Sequence, residues 1–140
     1  MRTSASIAVS FAFLFLSAGC ASMSAPGRKL AAANGLYEAG KYGGAAAAYR
    51  KIFQEASGPA AAEARFGLAA TLAAGDNPQK NYAQALRAFE EFLKLHPGHP
   101  KARQARDWQQ VLRALEQVNK SIDQLKRLDI SHEEKRKKGE

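Results

Sequence analysis

From Lys29 onward the apolar residues recur every three or four positions, and clusters of Gly and Pro interrupt them at short intervals. That spacing puts apolar side chains on one face of a helix, and each interruption ends the helix before it grows long. The pattern predicts five helical stretches, over residues 29–39, 43–55, 60–74, 82–95 and 101–128. No strand alternation appears and Val and Ile are sparse, so the expected fold class is all-α. Hydrophobic residues make up 46% of the 140, yet much of that is alanine. Alanine buries little area, so the core must come from close helix approach rather than from large side chains.

Two of the turns read alike. The first runs Ala39-Gly40-Lys41-Tyr42 and continues to Ala45, Tyr49 and Ile52. The second runs Ala74-Gly75-Asp76, then Tyr82, Ala85, Phe89, Phe92 and Pro97. In each, Gly ends a helix and Tyr begins the next. Ala stands three residues after the Tyr, and an aromatic stands four after the Ala. Gly40 and Gly75 are expected to take the left-handed cap conformation cheaply. Tyr42 and Tyr82 wedge into the corner, Ala45 and Ala85 let the helices approach, and Tyr49 and Phe89 fill the next gap on the same face.

This spacing resembles the tetratricopeptide repeat, whose period is about 34 residues. Pro97 stands where that family ends its second helix, and the longer turn over 76–81 is similar to Sel1-like repeats. The resemblance covers residues 29–102. It implies a short helical-repeat array, with two helix pairs over 29–100 capped by a long helix over 101–128. Two units cannot bury their faces alone, so the cap is required. Ala102, Ala105 and Trp108 are its expected packing residues.

The first nineteen residues are of another kind. Arg2 precedes an apolar run, Ile7 to Leu16, and no charge follows until after Cys20. The run is too short for a bilayer, which needs roughly 20 apolar residues. It ends in Leu16-Ser17-Ala18-Gly19-Cys20, and Cys20 is the single cysteine, so no intramolecular disulfide is possible. This segment resembles the lipobox of bacterial lipoproteins. The family usually has Leu three places before the Cys, where Ser17 stands here, with Leu16 one step earlier. The resemblance implies a signal peptide over 1–19. It also implies a covalent diacylglycerol on Cys20 with further acyl chains such as palmitate, and a tether over 20–28. Ala21, which is not Asp, implies sorting to the periplasmic face of the outer membrane. More than one acyl chain gives a stable anchor where one gives only marginal binding.

After Pro100 the apolar residues fall at Trp108, Val111, Leu115, Val118, Ile122 and Leu125, in steps of 3, 4, 3, 4, 3, with Leu112 and Leu128 beside them. That is a heptad seam. One reading is a capping helix with a frayed end. The other is an overhanging helix that docks a partner or self-associates. The tail over 129–140 is charged and ends basic. Its Leu125-x-x-Leu128-Asp129-Ile130 segment resembles the C-terminus of small envelope lipoproteins that accompany sensor histidine kinases.

Motifs for chemistry are absent or incomplete. Gly35 to Tyr42 nearly matches a phosphate-binding loop, but Tyr42 stands where a Ser or Thr must reach Mg²⁺, and a helix precedes it. His96 and His99 are too few ligands for a metal. The formal charge of +8 suits anionic lipid or acidic protein, and an exported protein rarely meets nucleic acid. The expectation is therefore a non-enzymatic, cofactor-free adaptor that binds envelope proteins and holds the membrane by its lipid. Accessory control of a sensor kinase and membership of an assembly machine are the alternatives.

Overall fold

A computed structural model describes residues 24–139. It contains five helices, and no strand occurs among the described residues: α1 Ala25–Glu38, α2 Tyr42–Glu55, α3 Gly58–Ala73, α4 Tyr82–Leu95 and α5 Ala102–Lys138. The first four form two helix pairs, and the long α5 caps them. Consecutive helices run antiparallel. Lys29 meets Glu55 and Asn34 meets Tyr49 across α1 and α2. Arg65 reaches Phe53 on α2 and Glu91 on α4. Arg113 on α5 reaches Glu90 on α4. α1 also packs on α3, so alternate helices share one side of the stack.

The helix ends follow local chemistry. Ser24 caps α1, its hydroxyl accepting from the Gly27 N–H at 3.3 Å, and Pro26 sits in the first turn. The fixed proline φ suits that turn. α1 therefore begins at Ala25, four residues ahead of the expected start, and 25–28 are helix rather than tether. Gly40 ends α1 at φ 69, with its N–H bonded to Tyr37 O and the Lys41 N–H to Leu36 O. These two bonds satisfy carbonyls that the helix itself leaves open.

The second turn corrects its expectation. Gly75 is not left-handed; the positive-φ glycines of the described residues are Gly40 and Gly58, the latter opening α3. Asn77 does the work instead. It is buried, donates from Nδ2 to Thr71 O at 2.8 Å, and accepts from the Gln79 N–H at 2.8 Å. An Asx side chain can close a turn without a left-handed residue. Asn81 then caps α4 by accepting from the Gln84 N–H at 2.9 Å.

The core is one cluster of buried alanines at the helix contacts and an aromatic group from α3, α4 and α5. Ala33, Ala45, Ala64, Ala69, Ala85 and Ala105 are fully buried between helices. Phe66 stands edge-on to Phe89 and Phe92 at 5.5 and 5.6 Å, and Trp108 stacks on Phe89 at 6.0 Å. α3, in the middle of the stack, is buried around most of its circumference, and Glu63, Gly67 and Ala70 mark the side left open.

α5 is 37 residues long, roughly 55 Å at the helical rise. It does not stop at Leu128, and the charged tail continues the same helix. No Gly or Pro interrupts 101–138, and Lys, Arg and Glu are good helix formers. α4 begins at Tyr82, which borders a hollow with Asn119, Lys120 and Asp123 of α5. Beyond that level α5 has no helix beside it. No helix among the described residues is long and apolar enough to cross a membrane.

Candidate functional site

α1, α3 and α5 enclose a groove of about 270 Å³. Phe66, Gly67 and Ala70 of α3 form its floor, with Asn34 and Tyr37 on one wall and Gln104 and Trp108 on the other. Gly67 is what lets Tyr49 of α2 reach through. Tyr49 is buried, and its hydroxyl donates to Asn34 Oδ1 at 2.6 Å. Burial pushes the phenol up to about 12, and Tyr37, Glu38 and Glu63 add to the shift. It therefore keeps its proton at neutral pH and holds Asn34 at the rim.

The lower end of the groove is polar. Lys101 pairs with Glu63 at 2.5 Å and lies 4.9 Å over the Phe66 ring, while His99 Nε2 is 3.5 Å from the other Glu63 oxygen. An aromatic floor with a few fixed polar groups can hold a peptide segment and orient it. His96 and His99 both pack on Phe92, at 5.6 and 5.3 Å. Burial pushes the His96 pKa down, with Arg65 and His99 acting in the same direction, and its buried Nε2 has no hydrogen-bond partner. Among the described residues, no three His, Cys, Asp or Glu side chains gather as a metal site would require.

Gln104 and Val111 are seven residues apart, hence on one face of α5. The groove wall therefore runs on into the heptad seam. Trp108 and Leu115 are half-buried at the edge of the core, but Val111, Val118, Ile122 and Leu125 are 58%, 54%, 43% and 66% exposed. Leu128 is exposed as well. The core uses the neighbouring face of the helix, through Ala102, Ala105 and Leu112. Between Val111 and Leu125 the charged residues are Arg113, Glu116, Lys120 and Asp123. At about 100° per residue they fall within one quarter of the helix, on the α4 side. Arg113 bonds Glu90 there, and the other three line the hollow beside Tyr82 and Leu86. The side turned away from α4 carries no charge over this length: Val111, Ala114, Gln117, Val118, Ser121, Ile122 and Leu125.

The turn residues expected from sequence occupy structural positions. Ala45, Ala85, Tyr49 and Phe89 are buried at helix contacts. Tyr42 stands edge-on to Tyr37 at 5.7 Å and gives its hydroxyl to Asp76, so it ties the first turn to the second. Tyr82 packs toward α5, and Pro97 lies exposed in the turn after α4. Leu16, Ser17, Ala18, Gly19 and Cys20 lie outside the described residues. Gly67, Asn77 and the Lys101–Glu63 pair were not anticipated. A Gly inside an alanine-rich helix was the available signal for the first.

No protein-family model, no curated protein and no solved structure matches this chain.

Proposed function

We propose that this protein is a non-enzymatic adaptor of the bacterial cell envelope, anchored at the periplasmic face of the outer membrane by lipid on Cys20. Its repeat-like helix pairs and last helix present the docking surface for another envelope protein. The observation that carries this reading is the continuity of the α1–α3–α5 groove with an uncovered, charge-free apolar strip on α5. Depletion of charge around exposed apolar side chains marks the centre of protein interfaces more than hydrophobicity alone does. The leader and Cys20 support the location, because a charge-free apolar run that is too short to span ends at a single cysteine.

In-cell photo-crosslinking tests the reading. A photoreactive residue at Gln104, in the groove wall, and another at Ser121, on the charge-free side of α5, are each irradiated in cells and the products identified by mass spectrometry. The expected result is a specific envelope protein captured from one or both positions and absent from a probe at Arg87 on exposed α4. Capture of nothing from either position, with the chain correctly membrane-bound, rejects the adaptor reading.

A further inference from the structure

The turn between α4 and α5 joins the cap to the stack, and it carries two of the three histidines, His96 and His99. His96 ends α4, with its N–H bonded to Phe92 O at 2.8 Å and its carbonyl accepting from the His99 N–H at 3.1 Å. The His99 carbonyl then accepts from the Ala102 N–H at 2.8 Å, where α5 opens. We propose that this turn is an acid-sensitive latch, in which a proton taken up by His96 frees the turn and loosens the start of α5 from the stack. The latch concerns the hold on the cap and does not depend on what the groove binds.

The two rings sit differently. The His96 ring is half-buried against Phe92 at 5.6 Å, and its Nε2 is sealed from water with no hydrogen-bond partner. His99 Nδ1 accepts from the Lys101 N–H at 3.2 Å, which leaves Nε2 to carry the proton of the neutral ring, 3.5 Å from Glu63 Oε1. A charge on His99 therefore has a carboxylate beside it. In a charged ring both nitrogens are donors, so His96 would need an acceptor at its sealed Nε2. The charged groups of this corner are Glu63 and Arg65 of α3, Glu91 of α4 and Lys101 just before α5, and they are already paired. Arg65 holds Glu91 at 2.6 Å and Lys101 holds Glu63 at 2.5 Å. With both rings neutral the corner is balanced, and a proton on His96 adds a cation that no free carboxylate offsets.

Burial, Arg65 and His99 all act against the charged form of His96, in that order. The folded turn thus favours the neutral ring. Its contribution to stability is complete above the ordinary value of 6.5 and is lost as pH falls from 6.5 through the lower folded value. The charged ring has a way out, because the turn faces the start of α3 across an open hollow of about 640 Å³ bordered by Pro59, Ala62 and Glu63. Swinging His96 into it draws the turn off Phe92 and pulls on the Lys101–Glu63 pair at the lower end of the groove. Acid therefore opens this end of the groove while the α1–α2 pair, which holds no histidine, stays closed.

Hydrogen exchange on the full-length chain tests the latch, read as amide protection corrected for the intrinsic effect of pH. The amides of Ala102 and Ala105 bond His99 O and Lys101 O at the start of α5, and the amide of Ala45 bonds Lys41 O at the start of α2. Between about pH 7.5 and about pH 5, the range over which histidine titrates, Ala102 and Ala105 are expected to lose protection at least about threefold further than Ala45. His96→Leu, which keeps an apolar side chain against Phe92, is expected to remove that excess, and His99→Gln to retain it. No excess loss in the parent chain, an excess that survives His96→Leu, or one abolished by His99→Gln each overturns the proposal. The histidine C–H resonances of the parent chain supply a measurement that needs no variant. A His96 ring that titrates below 6.5 is the expected result, and one that titrates at 6.5 or above overturns the latch as well.

Discussion

The Tyr49 ring occupies the space where a side chain on residue 67 would be: a Cβ at Gly67 would lie 2.5 Å from ring carbons Cε1 and Cζ. Those atoms are close to the helix backbone, and Tyr49 is held by its bond to Asn34. Gly67→Ala is expected to destabilise the fold by about 1–3 kcal/mol, the cost of overpacking, after a partial offset from helix propensity. Gly35→Ala in α1, with nothing within 4 Å of the added Cβ, is expected to stabilise it by about 0.5–1 kcal/mol. Urea denaturation of the two variants beside the parent chain checks both signs.

Phe89 is fully buried between the Phe66 and Trp108 rings. Truncation leaves a cavity that both rings border. Phe89→Ala is expected to cost about 3–5 kcal/mol. Trp108 is the single tryptophan, so its fluorescence reports the loss directly in a thermal melt.

Alkaline pH should loosen the structure. Tyr49 is pushed up to about 12 by burial, and Tyr42 is pushed up to about 12 chiefly by its hydrogen bond to Asp76. A phenol whose folded pKa exceeds its ordinary value of 10 stabilises the fold fully below pH 10. That contribution is lost as pH rises from 10 through 12. The double variant Tyr42→Phe/Tyr49→Phe should show a flatter stability profile over pH 9–12. Guanidinium denaturation at each pH measures it, and an unchanged slope would refute the assignment to these two phenols.

The α5 seam should be dispensable for folding. Val118→Asp and Ile122→Asp are expected to change stability by no more than about 0.5 kcal/mol, as exposed substitutions do. Leu112→Asp, one face away and buried, should unfold the cap. Equal losses from all three would show that the seam belongs to the core.

Cys20→Ser is expected to abolish incorporation of radiolabelled palmitate and to release the protein from the membrane fraction, with its helix content unchanged. Label retained on the variant would refute lipidation at that position.

Helices and small-residue contacts were legible because they depend on neighbours in sequence. Periodicity located all five helices, and the spacing from Tyr42 to Ala45 to Tyr49 identified three contact residues. What escaped depends on distant partners or on competing local chemistry. Gly75 looked like a cap, but Asn77 closes the turn two residues later and removes the need for a left-handed residue. The Tyr49–Gly67 fit joins residues on two helices, and no local pattern encodes it. The seam was legible as apolar spacing, and its exposure only as one of two readings. Which face of α5 turns away from α4 decides it, and that depends on contacts such as Arg113 with Glu90 that lie far apart in sequence.

α1 begins at the same end of the stack as α5. Lys29 lies beside Glu55 at the end of α2, α3 starts there, and α4 ends there before the turn into α5. α5 then runs roughly 55 Å to its free tip. The helix acts as a spacer. Whatever engages the tip meets the protein far from the end where Ala25 opens α1. Removing one heptad between Lys126 and Glu134 would move that meeting point roughly 10 Å closer while leaving every core contact in place.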